Sequence, residues 1–190
     1  MTIVYQGKTK TGKDLVIRYP EMSDLEELLN YINTLSDEKT FIRYQGEHET
    51  LESEQKFLKK RLKEIKDKKV IHLLAFCDGR LAGGSDIHMM DRTEKHIGLF
   101  GITISKDSRG DGIGKILMDR TIKEAIEVIP GLKIITLEVF SSNKIAIDLY
   151  KKMGFEIYGK LPDGTCRQDK FEDAIFMYAP VERLSKDLQN

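Results

Sequence analysis

The residues best placed to do chemistry lie in one short stretch. Arg109-Gly110-Asp111-Gly112-Ile113-Gly114-Lys115 follows the β-branched run Ile102-Thr103-Ile104 and leads straight into a helical pattern. Glycines let backbone N–H groups approach an anion closely, and a helix N-terminus adds its dipole and unpaired donors. Strand, glycine turn and helix together read as a phosphate cradle, although a tight turn alone would use the same residues. It is not a Walker A loop, because Arg109 stands at the first glycine of that pattern and no Ser or Thr follows Lys115. The glycine spacing is not the dinucleotide fingerprint either.

Other clusters are weaker. His72, His88 and His96 fall on neighbouring strand patterns with Asp86 nearby, but their spacing matches no ligand motif, so satisfied strand histidines and no metal are expected. Lys56 to Lys69 holds eight basic and two acidic residues. Phe57 is the single aromatic among them, too few for an interleaved stacking surface, so it reads as a solvated helix face rather than a nucleic-acid surface. Glu47, Glu49, Glu52 and Glu54 would suit a cationic acceptor, or balance the lysines that follow.

The elements that must position these groups follow from periodicity. Residues 1–13 read as a loose leader or a weak edge hairpin, and Leu15 to Arg18 as a short strand. Ser23 has capping-box spacing to Glu26 and opens a helix carrying Leu25, Leu28, Leu29, Ile32 and Leu35 on one face. Residues 36–49 show no period. A second helix is expected from about Thr50 to Lys66. Val70 to Phe76 and Leu81 to Met89 form a hairpin around Asp78-Gly79, and Ile97 to Ile104 is the next strand. The helix after the glycine turn ends at Pro130-Gly131. Lys133 to Phe140 is a strand, Asn143 to Met153 a helix closed by Gly154, and Phe155 to Lys160 and Phe171 to Tyr178 two strands joined through Leu161 to Gly164. The order β-α-α-β-β-β-α-β-α-β-β predicts an α/β mixed sheet with helices on both faces. One domain over 14–181 is expected, with 1–13 a flexible leader and 182–190 a frayed tail.

Composition narrows the class. The 190 residues balance 31 basic against 31 acidic, and 33% are charged. Zero net charge gives no global pull toward nucleic acid or an anionic membrane. No apolar run reaches the roughly 20 residues of a transmembrane helix, and the first residues lack the apolar core of a signal peptide. Cys77 and Cys166 form no CxxC. A cytoplasmic monomer or homodimer is the expectation.

Leu137-Glu138-Val139-Phe140-Ser141-Ser142-Asn143 followed by Ala146-Ile147-x-Leu149-Tyr150-x-x-x-Gly154-Phe155 changes the weighting. With Arg109-x-x-Gly112-x-Gly114 before it, this resembles the GNAT family of N-acetyltransferases over roughly residues 14–180. Glu138, with Tyr150 twelve residues later, and then Glu172-Asp173-Ala174-Ile175-x-Met177 is similar to the bacterial acetyltransferases of ribosomal-protein N-terminal alanine. The resemblance implies acetyl-CoA as cosubstrate and a primary amine as acceptor, either a small molecule or a protein N-terminus. It implies that the glycine loop holds pyrophosphate, that the Ile102–Ile104 strand splays from the Lys133–Phe140 strand to pair with the pantetheine arm, and that Asn143 anchors that arm. It makes Glu138 the general base and Tyr150 the general acid.

Two departures stand out: Lys106 replaces a common proline, and Asp111 puts a carboxylate in the cradle, so its side chain is expected to point outward. Simpler roles stay open. Glu138 could face solvent, Tyr150 could be a core aromatic, and Asn143 could be only an N-cap. An α-amine of pKa ~7.8 needs about 1 kcal/mol to be neutral at pH 7, a lysine of pKa ~10.4 about 5. A single glutamate therefore suits an α-amine better. The other acceptors to weigh are polyamines and aminoglycosides, and the reading from another class is a non-catalytic acyl-CoA-binding sensor.

Overall fold

A computed structural model describes residues 2–187. Eight strands form one sheet: β1 (Ile3–Lys8), β2 (Asp14–Arg18), β3 (Val70–Cys77), β4 (Arg80–Met89), β5 (Ile97–Ile104), β6 (Ile134–Phe140), β7 (Glu156–Arg167) and β8 (Lys170–Pro180). Their order is β1-β2-β3-β4-β5-β6-β8-β7. All neighbours run antiparallel except β5 and β6, which are parallel because α3 (Ile113–Val128) crosses over between them. The other helices are α1 (Leu25–Asp37), α2 (Leu51–Lys66), α4 (Lys144–Lys152) and α5 (Val181–Asp187).

Strand alternation sorts the core into two layers. Ile71, Leu73 and Ala75 of β3, Ile87 of β4 and Phe100 of β5 pack with Ile113, Leu117, Met118, Ile122 and Ala125 of α3. The residues between them on β3, Leu74 and Phe76, turn to the opposite face against Leu28 of α1 and Leu58 of α2. β3 is therefore buried on both faces, which is why, His72 apart, it reads as a continuous apolar run.

The structure corrects several expectations. Residues 1–13 are no loose leader: β1 pairs with β2 from Ile3↔Arg18 to Lys8↔Asp14, making the edge hairpin. The first helix is not opened by Ser23 and Glu26. Asp24 precedes it, accepts from Glu21 N–H at 2.7 Å, and binds Arg18. Leu161 to Gly164 is not the turn between the last strands; it interrupts the register inside β7. Pro162 is tolerated because β7 is an edge strand. The turn lies at Gln168-Asp169, whose φ values of 51° and 60° match a two-residue hairpin. The tail is helical through Asp187, with Leu184 buried in the α3-side core; residues 188–190 of that expectation lie outside the described residues. Elsewhere the pattern holds. Thr50 caps α2 by accepting from Ser53 N–H, and Gly154 ends α4 with φ 88°.

Candidate active site

The sheet opens where β5 meets β6. The two strands pair only at Ile97↔Ile134, Gly98↔Ile135 and Leu99↔Thr136. Beyond that point β5 stays bound to β4 through Ile104, and β6 stays bound to β8 through Phe140. The stretches 100–104 and 137–140 thus diverge, leaving backbone donors and acceptors facing the gap without a ladder partner. Ile102, Thr103 and Ile104 lie on the β5 side of this opening.

The glycine turn sits at the end of the same strand. Gly110 and Gly112 take φ values of 84° and 83°, a left-handed conformation that side chains resist. Gly112 is the residue before α3, so the N–H groups of Ile113, Gly114 and Lys115 have no acceptor within the helix. This donor set fits a pyrophosphate. The Arg109 side chain does not extend freely into the cradle. Its Nε donates to the Ile104 carbonyl at 3.0 Å and its Nη2 bonds the Glu38 carboxylate at the end of α1. The Asp111 carboxylate is turned to the β1–β2 turn instead of to solvent. It accepts from Thr11 N–H at 2.9 Å and Thr11 Oγ1 at 2.8 Å, and the residue is only 7% exposed. Burial pushes its pKa up, but the Thr11 and Thr9 bonds outweigh this and hold it below the usual carboxylate range.

Glu138 and Tyr150 stand on opposite sides of the sheet. Along β6, Ile135, Leu137 and Val139 join the α3-side core, so Glu138 and Phe140 face the α1–α2 side. There the loop between α1 and α2 meets them. Phe41 packs on Phe140 with ring centroids 5.9 Å apart, and Arg43 Nη2 lies 3.5 Å from Glu138 Oε2. Glu138 stays partly accessible, with 35% of its side chain exposed. Tyr150 lies across the sheet, against Phe100 at 6.2 Å and Phe155 at 6.3 Å. Burial raises its pKa to about 12, so it is protonated at neutral pH. Asn143 caps α4, its Oδ1 accepting from Ala146 N–H at 3.2 Å.

The secondary clusters have local uses. Glu49 accepts from Tyr44 Oη at 2.6 Å, Glu47 from Gln45 N–H, Glu52 pairs with Lys56, and Glu54 is buried. This acidic run is thus largely spent on its own loop and helix. Lys60 pairs with Glu64, and Arg61 reaches Asp86 at 3.5 Å. Among the described residues, no three His, Cys, Asp or Glu side chains are grouped to hold a metal ion, and no helix is long and apolar enough to cross a membrane. Sequence reasoning missed Glu38, Phe41 and Arg43, because residues 36–49 carry no period to orient them.

A sheet split between two parallel strands beside a glycine cradle fits an acyl-transfer enzyme of the coenzyme A-dependent kind. The chain matches the Acetyltransferase (GNAT) family over residues 30–155 and belongs to it. It is an N-acetyltransferase. It is 29% identical over 176 residues to the L-amino acid N-acetyltransferase AaaT of Escherichia coli K12, covering 86% of this chain and 96% of that protein. It is 33% identical over 89 residues to the ribosomal protein bS18-alanine N-acetyltransferase of the same organism, covering 44% of this chain and 55% of that one. Among solved structures, a GNAT-family acetyltransferase from Streptococcus pneumoniae superposes with a TM-score of 0.80 at 32% identity, covering 88% of this chain and 99% of that one. Structures of this fold include complexes with acetyl-CoA and with coenzyme A.

Proposed function

We propose that this enzyme moves an acetyl group from acetyl-CoA to an α-amine, with Glu138 as general base and Tyr150 as general acid. The observation that carries the reading is the placement of these two groups on opposite faces of the β5–β6 opening. An amine entering from the α1–α2 side gives up its proton to Glu138, directly or through water. A protonated Tyr150 on the other side meets the departing sulfur. Bound acetyl-CoA supplies the activated acyl group. The cradle of Gly112, Ile113, Gly114 and Lys115 holds its phosphates, and unpaired β5 donors from 102–104 hold its arm and polarise the carbonyl. Asn143, though engaged as a cap, still has its amide NH2 to offer the arm.

The acceptor class follows from charge and from the relatives. An L-amino acid and a ribosomal-protein alanine, the acceptors in two relatives' names, both offer an α-amine. The acidic run that would have favoured a polyamine is engaged locally. Two free cysteines suit a reducing cytoplasm.

Thiol release from acetyl-CoA over an acceptor panel tests the reading. The panel holds free L-amino acids, peptides starting with Ala, Ser or Met, spermidine, an aminoglycoside and an N-blocked lysine peptide. Turnover is expected with the α-amines. Turnover confined to spermidine, the aminoglycoside or lysine would overturn the acceptor class, and acetyl-CoA binding without turnover would favour the sensor. With the active acceptor, Glu138→Gln should lower kcat by roughly 10²- to 10⁴-fold. An unchanged pH–rate profile would remove Glu138 from the base role.

A further inference from the structure

We propose that the N-terminal hairpin is part of the coenzyme site, with Lys10 at its tip serving as a phosphate ligand and Asp111 as the residue that holds the tip in place. The inference rests on the acyl-CoA reading above and adds a residue to it that lies outside the matched family region, residues 30–155.

The attachment is specific. Asp111 binds Thr11 twice through its carboxylate, and its carbonyl accepts from Lys10 N–H at 3.2 Å. Two consecutive residues of the β1–β2 turn are thereby fixed to the middle of the cradle, 100 positions along the chain. A free carboxylate beside a phosphate would repel it. Here the charge is engaged by the turn, with Lys13 Nζ a further 4.0 Å away.

The bolted turn lays the Lys10 side chain over the start of α3. A Cβ built on Gly112 would lie 3.1 Å from both Cγ and Cε of Lys10 and 3.3 Å from its Cδ. The stem therefore crosses the N-cap residue, and the ammonium sits one bond beyond Cε. Its neighbours are already matched, Lys8 with Asp14 at 2.7 Å and Lys13 with Asp111. Lys10 has no ion pair or side-chain hydrogen bond among the described residues. An unmatched cation beside the positive end of a helix is unfavourable by itself and becomes favourable once an anion lies between them. The coenzyme brings two such anions, the pyrophosphate and the 3′-phosphate on its ribose.

Lys10→Met tests the idea, since it keeps the stem across Gly112 and removes only the charge. Calorimetric titration of the full chain with acetyl-CoA and with acetyl-3′-dephospho-CoA reads the effect without any turnover. The variant should bind acetyl-CoA roughly 10-fold more weakly or worse, with a shallower dependence of Kd on salt. A loss seen only with acetyl-CoA assigns the 3′-phosphate, and an equal loss with both assigns the pyrophosphate. Asp111→Asn supplies a test of opposite sign. If Asp111 merely repelled phosphate, that variant would bind more tightly; if it holds Lys10 in place, it binds more weakly. Wild-type affinity and salt dependence in Lys10→Met would overturn the proposal while leaving the enzyme reading intact. Failure of the wild type to bind acetyl-CoA would instead overturn the enzyme reading.

Discussion

At the scale of single residues, Tyr150 separates a packing role from a chemical one. Its ring fills the space between Phe100 and Phe155, while its hydroxyl has no hydrogen-bond partner among the described residues. Tyr150→Phe keeps the ring and removes an oxygen that stabilises nothing in the unliganded protein. Urea denaturation should place the variant within about 0.5 kcal/mol of wild type, while kcat falls by at least roughly 10²-fold. A variant of unchanged stability and unchanged kcat would return Tyr150 to the core aromatic it resembles on its helix face. Residue types made this site partly legible. The left-handed conformations at Gly110 and Gly112 exclude most side chains, so the cradle announces itself as glycines at fixed spacing. The roles of Arg109 and Asp111 were not legible, because their partners Glu38 and Thr11 lie 71 and 100 positions away. Sequence pattern carries local constraint; it does not carry which distant charge a long side chain meets.

At the scale of elements, the fastening of β2 to α1 depends on one buried ion pair. Arg18 forks onto Asp24 with both bonds at 2.7 Å, and its guanidinium lies 4.1 Å above the Phe76 ring. The two side chains are 11% and 7% exposed. The pair holds the start of α1, whose far end carries Glu38 to Arg109 and leads into the loop over Glu138. Asp24→Asn leaves the guanidinium buried with a neutral partner and should cost about 3–5 kcal/mol, read as a lower urea midpoint. The paired change Arg18→Met with Asp24→Leu should recover much of that loss. An Asp24→Asn protein of wild-type stability would show that water already screens the pair. α2, β3 and α3 were legible because burial against a fixed face imposes a period of 3.6 or a β-branched run. β1 was legible only as one of two readings and the outer half of β7 was not, since edge strands bury little and Lys, Gly and Pro are tolerated there. The last turn was misplaced for a related reason. Leu161 to Gly164 has the composition of a turn, but long pairing with β8 on both sides absorbs it as a bulge, whereas Gln168-Asp169 lacks the glycine that usually marks the site.

At the scale of the whole molecule, acid stability turns on a histidine buried in the sheet. His72 of β3 faces the α2 side, where it meets the Phe57 ring at 6.5 Å, with Asp86 of β4 opposite it in register and Arg61 bound to that carboxylate. His88 also reaches Asp86, at 3.5 Å. The Nδ1 atom of His72 is buried without a partner. Desolvation is the main force on its ring and outweighs the attraction of Asp86, taking the pKa from 6.5 to about 4. The native state therefore holds the ring neutral where the unfolded chain has begun to charge it. Above pH 6.5 neither form binds the proton and the contribution is complete. Between pH 6.5 and about 4 the unfolded state binds more protons, so stability falls as pH falls, by about 3 kcal/mol in total. Below that range the native ring also charges and the loss levels off, while the carboxylates of Asp24 and Asp86, held low by Arg18 and His88 against burial, begin to lose their own contribution. Urea midpoints measured at intervals from pH 7 to 4 should trace this decline. His72→Leu removes both the titration and the orphaned nitrogen, so its curve should stay nearly flat over the same interval and cross above the wild type before pH 5. A wild-type curve already flat from 6.5 to 4 would mean that water reaches His72 and that the α2 face of the sheet is less tightly closed than its packing indicates.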